Sequence, residues 1–170
     1  MSNPSFVGRL AAGVLAISAI ATLAVAHQYA LGALRIIHPW SSPTPPGAPT
    51  AVGYLSIINT GATPDRLLGG STPAAAKLEL HEMSSVGGVM RMRPLPGGLV
   101  LPPGGTVTLS PGGDHFMFIG LKRPFALGDR IPATLNFEHG GSVRVEFHVD
   151  PPAYHPSPMP GMAMPGGKGM

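Results

Sequence analysis

Between Ala33 and Val149, short runs of apolar and β-branched residues alternate with turn signals rich in Gly, Pro, Asn and Asp. Several of these runs switch between apolar and polar residues at successive positions, a period that indicates β-strands. No segment after Ala33 carries a helix pattern longer than about one turn. Roughly seven to nine short strands joined by turns predict an all-β protein, either a sandwich or a barrel. The strand candidates are LRIIHPW, AVGYLSIIN, DRLLGGS, KLELHEM, GVMRMRP, TVTLS, HFMFIGL, IPATLNFEHG and SVRVEFHV.

The two ends of the chain depart from this pattern. The apolar run from Leu10 to Ala26 follows Arg9 and ends in small residues, which predicts a signal peptide cleaved after Ala26. The run is also close to the minimum length of a membrane span, so an uncleaved anchor is the alternative. From Pro151 onward the chain is rich in Pro and Gly and predicts a disordered tail. The expected domains are a signal peptide or anchor at 1–26, a β-sandwich at 27–150 and a tail at 151–170.

Composition narrows the functional classes. Only 11% of the residues are charged, the net charge is +3, and Lys and Arg form no basic run, which argues against a nucleic-acid partner. There is no cysteine, which excludes disulfides, thiolate zinc sites and a blue-copper centre with its Cys ligand. Soft-metal binding is then left to Met and His. With few acidic residues and no Ser-His-Asp pattern in evidence, the chain is not expected to be an enzyme.

Histidine and methionine recur at a spacing of two in this chain. The spacing is found in LHEM, in VMRM and in HFM. Because side chains alternate between the two faces of a strand, both members of each pair point to the same face. Methionine is also an ordinary core residue, and a lone His is commonly a hydrogen-bonded structural group. Three such pairs in a chain without cysteine favour a soft-metal site over that alternative. The pairs are His81 with Met83, Met90 with Met92, and His115 with Met117.

The segment HEMSSVGGVMRM predicts a β-hairpin with its loop between Met83 and Met90. If Met83 faces Met90, antiparallel counting places His81 opposite Met92. All four side chains then project from one face, with Cβ atoms of opposed residues about 4.5–5.5 Å apart. His81 and Met92 would be close enough to share one metal ion. Met83 and Met90, one pair nearer the turn, are candidates for an outer shell.

Two further patterns bear on this arrangement. The same register pairs Glu82 with Arg91 on the opposite face, where an ion pair would support it. In HFMF, two phenylalanines alternate with His115 and Met117. If the phenylalanines point into the core, His115 and Met117 point outward to the surface.

The residue types indicate which metal such a site would prefer. Thioethers are soft neutral ligands that favour Cu(I), and imidazole suits copper in either oxidation state. A site of two His and two Met carries no ligand charge, so it suits a monovalent ion. We therefore expect Cu(I) as the bound ion.

At these residues the sequence resembles the periplasmic copper chaperones of the PCu(A)C family. The family pattern is a His, ten residues, a Met, about twenty-one residues, and then His-x-Met. Here ten residues separate His81 from Met92, and twenty-two separate Met92 from His115, which is followed by Met117. The segments HPW, TPPGAPTAVGYLSIINTGATPDRL, ELHEM, GGVMRMRPL and HFMFIGLKRPFALGD match as well. The resemblance covers roughly residues 27–149.

The resemblance implies a cupredoxin-like β-sandwich of Greek-key type and a periplasmic metallochaperone. It implies delivery of copper to the CuA site of cytochrome c oxidase, or a broader role in periplasmic copper homeostasis with another copper protein as recipient. It also implies that the tail binds a second copper ion, as Cu(I) or Cu(II), as in family members with His/Met-rich extensions. The implied Cu(I) ligands are His81, Met92, His115 and Met117, and the implied tail ligands are His155, Met159, Met162 and Met164.

Two other functions stay open at this point. Cleavage after Ala26 would make His27 the N-terminal residue, and an N-terminal His can chelate copper through its amine and ring. That would make the protein a copper-dependent oxidoreductase, although no spacing in the sequence indicates the other His that such a centre requires. The second alternative is a structural β-sandwich without a metal, in which the methionines are core residues.

Overall fold

The computed structural model describes residues 28–151, which form eleven β-strands and no helix within that range. The proposed signal or anchor segment and the tail from residue 152 onward lie outside the described residues. In the described part of the chain, no helix has the length and apolar character needed to cross a membrane. The strands are β1 Gln28–Leu31, β2 Leu34–Ser41, β3 Thr50–Asn59, β4 Asp65–Ser71, β5 Ala75–Val86, β6 Val89–Pro94, β7 Leu99–Leu101, β8 Thr106–Leu109, β9 His115–Leu121, β10 Arg130–Phe137 and β11 Gly141–Val149.

Seven of these strands close into a ring in the order β2, β11, β10, β4, β5, β9, β3 and back to β2. Every pair in the ring is antiparallel except β11 with β2, which run parallel at their ends. The remaining strands flank the ring: β1 pairs with β2, β6 with β5, β7 with β4 and β8 with β3. The predicted all-β sandwich is therefore confirmed, and all nine strand candidates correspond to strands. The predicted count missed β1 and β7, which are too short to show a period.

A cluster of phenylalanine rings fills the interior between β3, β9 and β11. Phe118 packs edge-on against Phe125 and Phe147, with ring centroids 5.2 and 5.4 Å apart, and Phe116 packs edge-on against Phe147 at 5.9 Å. Gly53 of β3 lies directly against these rings: a Cβ atom there would be 2.8 Å from Phe147 and 2.9 Å from Phe118. The missing side chain leaves room for these two rings in the core. On the opposite face of the sheet, the pairing of β3 with β9 places Val52 beside Met117.

Asp65, at the start of β4, holds the β10–β11 turn in place. Its carboxylate accepts hydrogen bonds from the backbone N–H groups of Arg66, His139 and Gly140, at 2.7, 3.0 and 2.9 Å. Burial alone would raise the pKa of Asp65, but the three backbone donors outweigh it and lower the pKa below its ordinary value. The ionised carboxylate thus links two distant parts of the ring.

We expect this link to make the protein sensitive to acid. Because the folded-state pKa of Asp65 is lowered below an unfolded value of about 3.9, its contribution to stability is present above about pH 4 and is lost as the pH falls through the folded-state pKa. Asp65→Asn should lower the free energy of unfolding at neutral pH by about 1–3 kcal/mol, because an amide NH2 would face backbone donors. It should also flatten the loss of stability below about pH 4. Urea unfolding at a series of pH values measures both effects.

Asp114→Asn, in the turn before β9, makes the same chemical change elsewhere in the chain and is measured at the same pH values as the matched control. A wild-type acid dependence that persists unchanged in Asp65→Asn would show that other carboxylates cause it.

Candidate metal centre

The hairpin formed by β5 and β6 turns more tightly than the sequence pattern suggested. Gly87 and Gly88 have φ values of 60° and 80°, and Val86 pairs with Val89 across them. Positive φ at both central residues is the mark of a two-residue hairpin turn, which glycine adopts without strain. The turn continues the pairing closer to the loop than predicted. As a result, Met83 lies opposite Met92 and not opposite Met90.

The predicted register is therefore wrong by two residues. His81 lies opposite Pro94, not opposite Met92, and Glu82 pairs with Arg93, not with Arg91. The guanidinium of Arg93 donates to the carboxylate of Glu82, so the expected ion pair on the face opposite His81 exists with a different arginine. Because side chains alternate with period two, a shift of two residues leaves every side chain on its predicted face.

His81 and His115 lie directly opposite each other on β5 and β9. Their ring centroids are 6.1 Å apart with the ring planes at 42°. The neighbouring pair in the ladder, Leu80 with Phe116, points the other way into the core. The two histidines are thus held on one face by the packing of the opposite face.

His115 and Met117 lie on the predicted face of β9, opposite the core phenylalanines, but they are not exposed at the surface as predicted. Phe116 and Phe118 are fully buried, as predicted, so His115 and Met117 point to the other face. His115 is nevertheless only 5% exposed, and Met117 is half-buried. Aromatic side chains that sequence reasoning passed over lie beside His115 on this face.

Trp40 of β2 and Tyr54 of β3 are those aromatic side chains. The ring centroids of Trp40 and Tyr54 are 4.7 Å apart, and those of Tyr54 and His115 are 6.4 Å apart. Both aromatics are buried, and burial raises the pKa of the Tyr54 hydroxyl. Trp40, Tyr54, His115 and His81 therefore form a continuous row of rings across β2, β3, β9 and β5. In the sequence, the only indication of this row was a single Trp beside an apolar strand. Such a Trp is equally compatible with the core and with the face that carries His115.

The side chains of His115 and Met92 are in direct contact. Nδ1 of His115 lies 2.9 Å from the carbonyl oxygen of Gly113, which can only accept, so in the neutral imidazole Nδ1 carries the proton. Nε2 then presents a lone pair, and it lies 3.2 Å from Sδ of Met92. A thioether sulfur has no proton either. Two lone-pair donors that face each other in this way are suited to a shared cation.

This contact spans an intervening strand. Since β6 and β9 flank β5 on its two sides, their backbones are two strand spacings apart, or about 10 Å. The long side chains of Met92 and His115 lean over β5 from either side and meet above it. His81 projects from β5 on the same face. The structure therefore brings His81, Met92 and His115 together although His81 and Met92 are not directly opposed.

His81 has one ring nitrogen beside a carboxylate and one with no partner. Nε2 lies 3.4 Å from Oε2 of Glu79, and Nδ1 is buried without a hydrogen-bond partner. Glu79 is half-exposed, and its other oxygen lies 3.5 Å from Nζ of Lys77. Glu79 was not among the predicted site residues. Its position two residues before His81 on the same strand could have indicated that the two side chains share a face.

The other predicted residues occupy defined positions. Met117 lies opposite Glu79 on β5 and Val52 on β3, two residues along β9 from His115. Met83 is half-buried opposite Met92, whereas Met90 is 54% exposed opposite Ser85, so the two candidates for an outer shell do not pair with each other. The predicted tail residues His155, Met159, Met162 and Met164 lie outside the described residues.

No group of three or more His, Asp or Glu side chains within residues 28–151 is placed to hold a metal ion. The two histidines of the site are accompanied by methionines instead. The residues present are those that a soft cation such as Cu(I) prefers. The unpartnered Nδ1 of His81 and the facing Nε2 and Sδ atoms of His115 and Met92 fit such an ion.

A family model described as "Putative lipoprotein LpqE-like" matches residues 34–149 of the chain. The chain belongs to the LpqE-like family. The match begins with β2 and ends with β11, so the LpqE-like region coincides with the closed ring of strands.

One relative of this LpqE-like chain is "Putative lipoprotein Lxx21020" of Leifsonia xyli subsp. xyli (strain CTCB07). The two are 34% identical over 103 residues, which is 61% of this chain and 62% of that protein. The chain therefore spans less than two thirds of that relative's length.

Several solved structures are similar to the LpqE-like chain. The copper-bound PCuAC domain from PmoF2 has a TM-score of 0.63 at 28% identity, with 74% of this chain and 99% of that chain covered. The apo PCuAC domain from PmoF1 has the same TM-score and identity, over 74% and 100% of the two chains. The solution structure of CuI-DR1885 from Deinococcus radiodurans has a TM-score of 0.58 at 29% identity, over 76% and 85%. These likenesses confirm the predicted resemblance to the PCu(A)C family.

The observed hairpin register predicts which arginine interacts with Glu82. In a double-mutant cycle with alanine variants, Glu82 and Arg93 should couple by about 0.2–1 kcal/mol, the usual range for a pair near the surface. Glu82 and Arg91 should show no coupling, because Arg91 lies opposite Ser84. Urea unfolding of the single and double variants measures both values. Coupling of Glu82 to Arg91 and not to Arg93 would contradict the observed register and support the register predicted from the sequence.

Proposed function

We propose that this chain is an extracytoplasmic copper chaperone that binds one Cu(I) ion at His81, Met92, His115 and Met117. The observation that carries the proposal is the contact between Nε2 of His115 and Sδ of Met92, which face each other at 3.2 Å. Nδ1 of His81, buried and without a partner, supplies a third donor on the same face. Met117, on the same face two residues along β9, completes the set.

The chemistry of this set favours Cu(I) over other ions. Imidazole nitrogens and thioether sulfurs are neutral and soft, whereas Mg²⁺ and Ca²⁺ prefer oxygen ligands. The carboxylate of Glu79 lies 3.4 Å from Nε2 of His81, on the other side of the ring from the proposed ligand atom Nδ1. The copper-bound PmoF2 domain and the Cu(I) form of DR1885 support the assignment, because they share the fold of this chain.

The exposure of the ligands suits transfer of the ion. The two histidines are 7% and 5% exposed, but Met92 is 48% exposed and lies on β6, which pairs with β5 alone in the described part of the chain. A ligand from a recipient protein would therefore reach the ion from the Met92 side. A single thioether binds weakly and can be displaced by a ligand of the recipient. Copper can then move to the recipient without unfolding of the sandwich. Transfer with no chemical change in the cargo is the role of a chaperone and not of an enzyme.

The proposed location is outside the cytoplasm, in the periplasm or its equivalent. The apolar run at 10–26 supports export through a signal peptide or an anchor, followed by the sandwich at 27–150 and the tail at 151–170. The relative from Leifsonia is named a lipoprotein. The 170 residues of this chain contain no cysteine, so none of them can carry a lipid on a thiol.

The recipient we propose is a copper protein that takes up Cu(I), such as the subunit that carries the CuA site of cytochrome c oxidase. A copper-dependent oxidoreductase that uses His27 is the rival function. The two differ in what happens to oxygen. A chaperone binds Cu(I) without turnover, whereas an oxidoreductase consumes oxygen in the presence of a reductant.

An anaerobic Cu(I) titration with a competing chelator tests the proposal. The sandwich should bind one Cu(I), and Met92→Leu should weaken binding by at least about tenfold, since loss of a hydrogen-bonding partner of a ligand already costs about 10- to 100-fold at metal sites. Leu nearly matches Met in volume, so the free energy of unfolding should change by less than about 1.5 kcal/mol.

Met90→Leu is the matched control, because Met90 lies on the same face of the same strand but outside the proposed ligand set. It should leave Cu(I) affinity close to the wild-type value. Equal losses in both variants, or an unfolded Met92→Leu variant with unchanged copper affinity, would refute the proposed ligand set.

The tail leaves the sandwich close to the site. Val149 of β11 pairs with Ser41 of β2, and Asp150 donates its N–H to the carbonyl of Ser41 at 2.9 Å. His115 lies three strands away in the sheet, about 14 Å at the usual strand spacing. A chain spans at most about 3.3–3.6 Å per residue, so eight residues beyond Pro151 can bridge that distance. We propose that His155, Met159, Met162 and Met164 bind a second copper ion, as Cu(I) or Cu(II), and pass it to the sandwich.

A chain that ends at Asp150 should bind less copper and load the sandwich site more slowly. Binding on a tail costs about 1–2 kcal/mol of conformational entropy for each residue that becomes fixed, so the tail should bind copper more weakly than the sandwich. A tethered ion nevertheless has an effective concentration that can reach the millimolar range. Stopped-flow loading and copper stoichiometry of the two chains measure these effects. Equal rates and equal stoichiometry would mean that the tail takes no part.

A further inference from the structure

The two histidines of the proposed site have opposite surroundings at their ring nitrogens. In His115, Nδ1 faces the carbonyl of Gly113 and Nε2 faces Met92. In His81, Nε2 faces the carboxylate of Glu79, and Nδ1 is buried with no hydrogen-bond partner. The nitrogen that has a protein acceptor is thus Nδ1 in one ring and Nε2 in the other.

This difference fixes different tautomers in the two rings. An ionised carboxylate only accepts hydrogen bonds, so the nitrogen beside Glu79 carries the proton in neutral His81. The lone pair of His81 is then on Nδ1. By the same reasoning, the carbonyl of Gly113 places the proton of His115 on Nδ1 and its lone pair on Nε2.

We propose that Glu79 is a positioning residue that fixes the tautomer of His81, so that His81 binds the cargo ion through Nδ1 while His115 binds it through Nε2. The inference rests on the proposed function and adds a residue outside the ligand set. Metal-binding histidines commonly donate their other ring N–H to a carboxylate or a backbone carbonyl, which sets the tautomer and the ring orientation. Here Glu79 supplies that acceptor to one ring and the backbone of Gly113 supplies it to the other.

The position of Glu79 is itself well defined. It lies two residues before His81, so both side chains are on the same face of β5. It is paired with Met117 across β9, while His81 is paired with His115. Its second oxygen lies 3.5 Å from Nζ of Lys77, which leaves Oε2 for the His81 ring. An unpartnered buried nitrogen is costly, and a ligand bound at Nδ1 would remove that cost.

The tautomers can be read in the metal-free protein. Two-bond ¹H–¹⁵N correlation spectra of the ¹⁵N-labelled full chain, at about pH 8 where imidazole is normally neutral, distinguish the protonated nitrogen of each ring. We expect the proton on Nε2 in His81 and on Nδ1 in His115. A proton on Nδ1 of His81 in the wild-type protein would overturn the proposal.

Variants then test the role of Glu79. In Glu79→Ala, the His81 signal should no longer show a single tautomer, and Cu(I) affinity should fall about 10- to 100-fold, as is usual when the partner of a metal-binding His is removed. Glu79→Gln should restore most of both, because its amide oxygen still accepts from Nε2. The proposal requires both changes in Glu79→Ala, and either one without the other overturns it.

Controls lie within the same chain. Glu82→Ala removes a carboxylate from the same strand but from the opposite face, and it should leave the His81 tautomer and the Cu(I) affinity unchanged. His115 should keep its tautomer in every variant, because a backbone carbonyl sets it. If the wild type binds no Cu(I), the proposed function fails, whereas the tautomer of metal-free His81 still decides whether Glu79 has the assigned role.

Discussion

The pairing of β5 with β9 is the constraint on which the site depends. One face of this ladder contributes Leu78, Leu80, Phe116 and Phe118 to the core, each 4% exposed or less. Burying an aromatic or aliphatic side chain of this size is worth roughly 1.5–3 kcal/mol, so a slip in the register would be strongly unfavourable. The same register sets His81 opposite His115 on the other face. The geometry of the polar face is thus fixed by apolar packing on the reverse side of the same two strands.

Much of this could be predicted from the sequence, because strand alternation depends only on counting residues. The faces of His81, Met92, His115 and Met117 followed from period two and survived the change in hairpin register. The register itself did not follow, since it depends on whether Gly87 and Gly88 form the turn alone or within a longer loop. A Gly-Gly pair is compatible with both, and only the pairing of Val86 with Val89 decides between them.

The surroundings of the site were harder to predict, because they come from strands far apart in the chain. Trp40 and Tyr54 cover His115 only because the ring closes through β2 and β3. Glu79 lies two residues before His81, so period two places both side chains on one face. No local rule says whether its carboxylate then contacts the histidine or the solvent. The strands β1 and β7 have only four and three residues, too few to establish a period, whereas the four-residue β8 was predicted from the Pro-Gly turn signals on both sides of TVTLS.

The position of β6 outside the closed ring gives the site an uneven local stability. Every residue of β6 is exposed and, among the strands of residues 28–151, it pairs with β5 alone, whereas β5 and β9 are integral to the ring. Segments with few buried contacts open at a free energy well below that of global unfolding. Amide hydrogens of β6 should therefore exchange with solvent faster than those of β9, and Met92 can detach while the histidine pair keeps its geometry. The proposed metal site is therefore uneven in stability: its two histidines lie on strands of the closed ring, and Met92 lies on a strand that opens by local fluctuation.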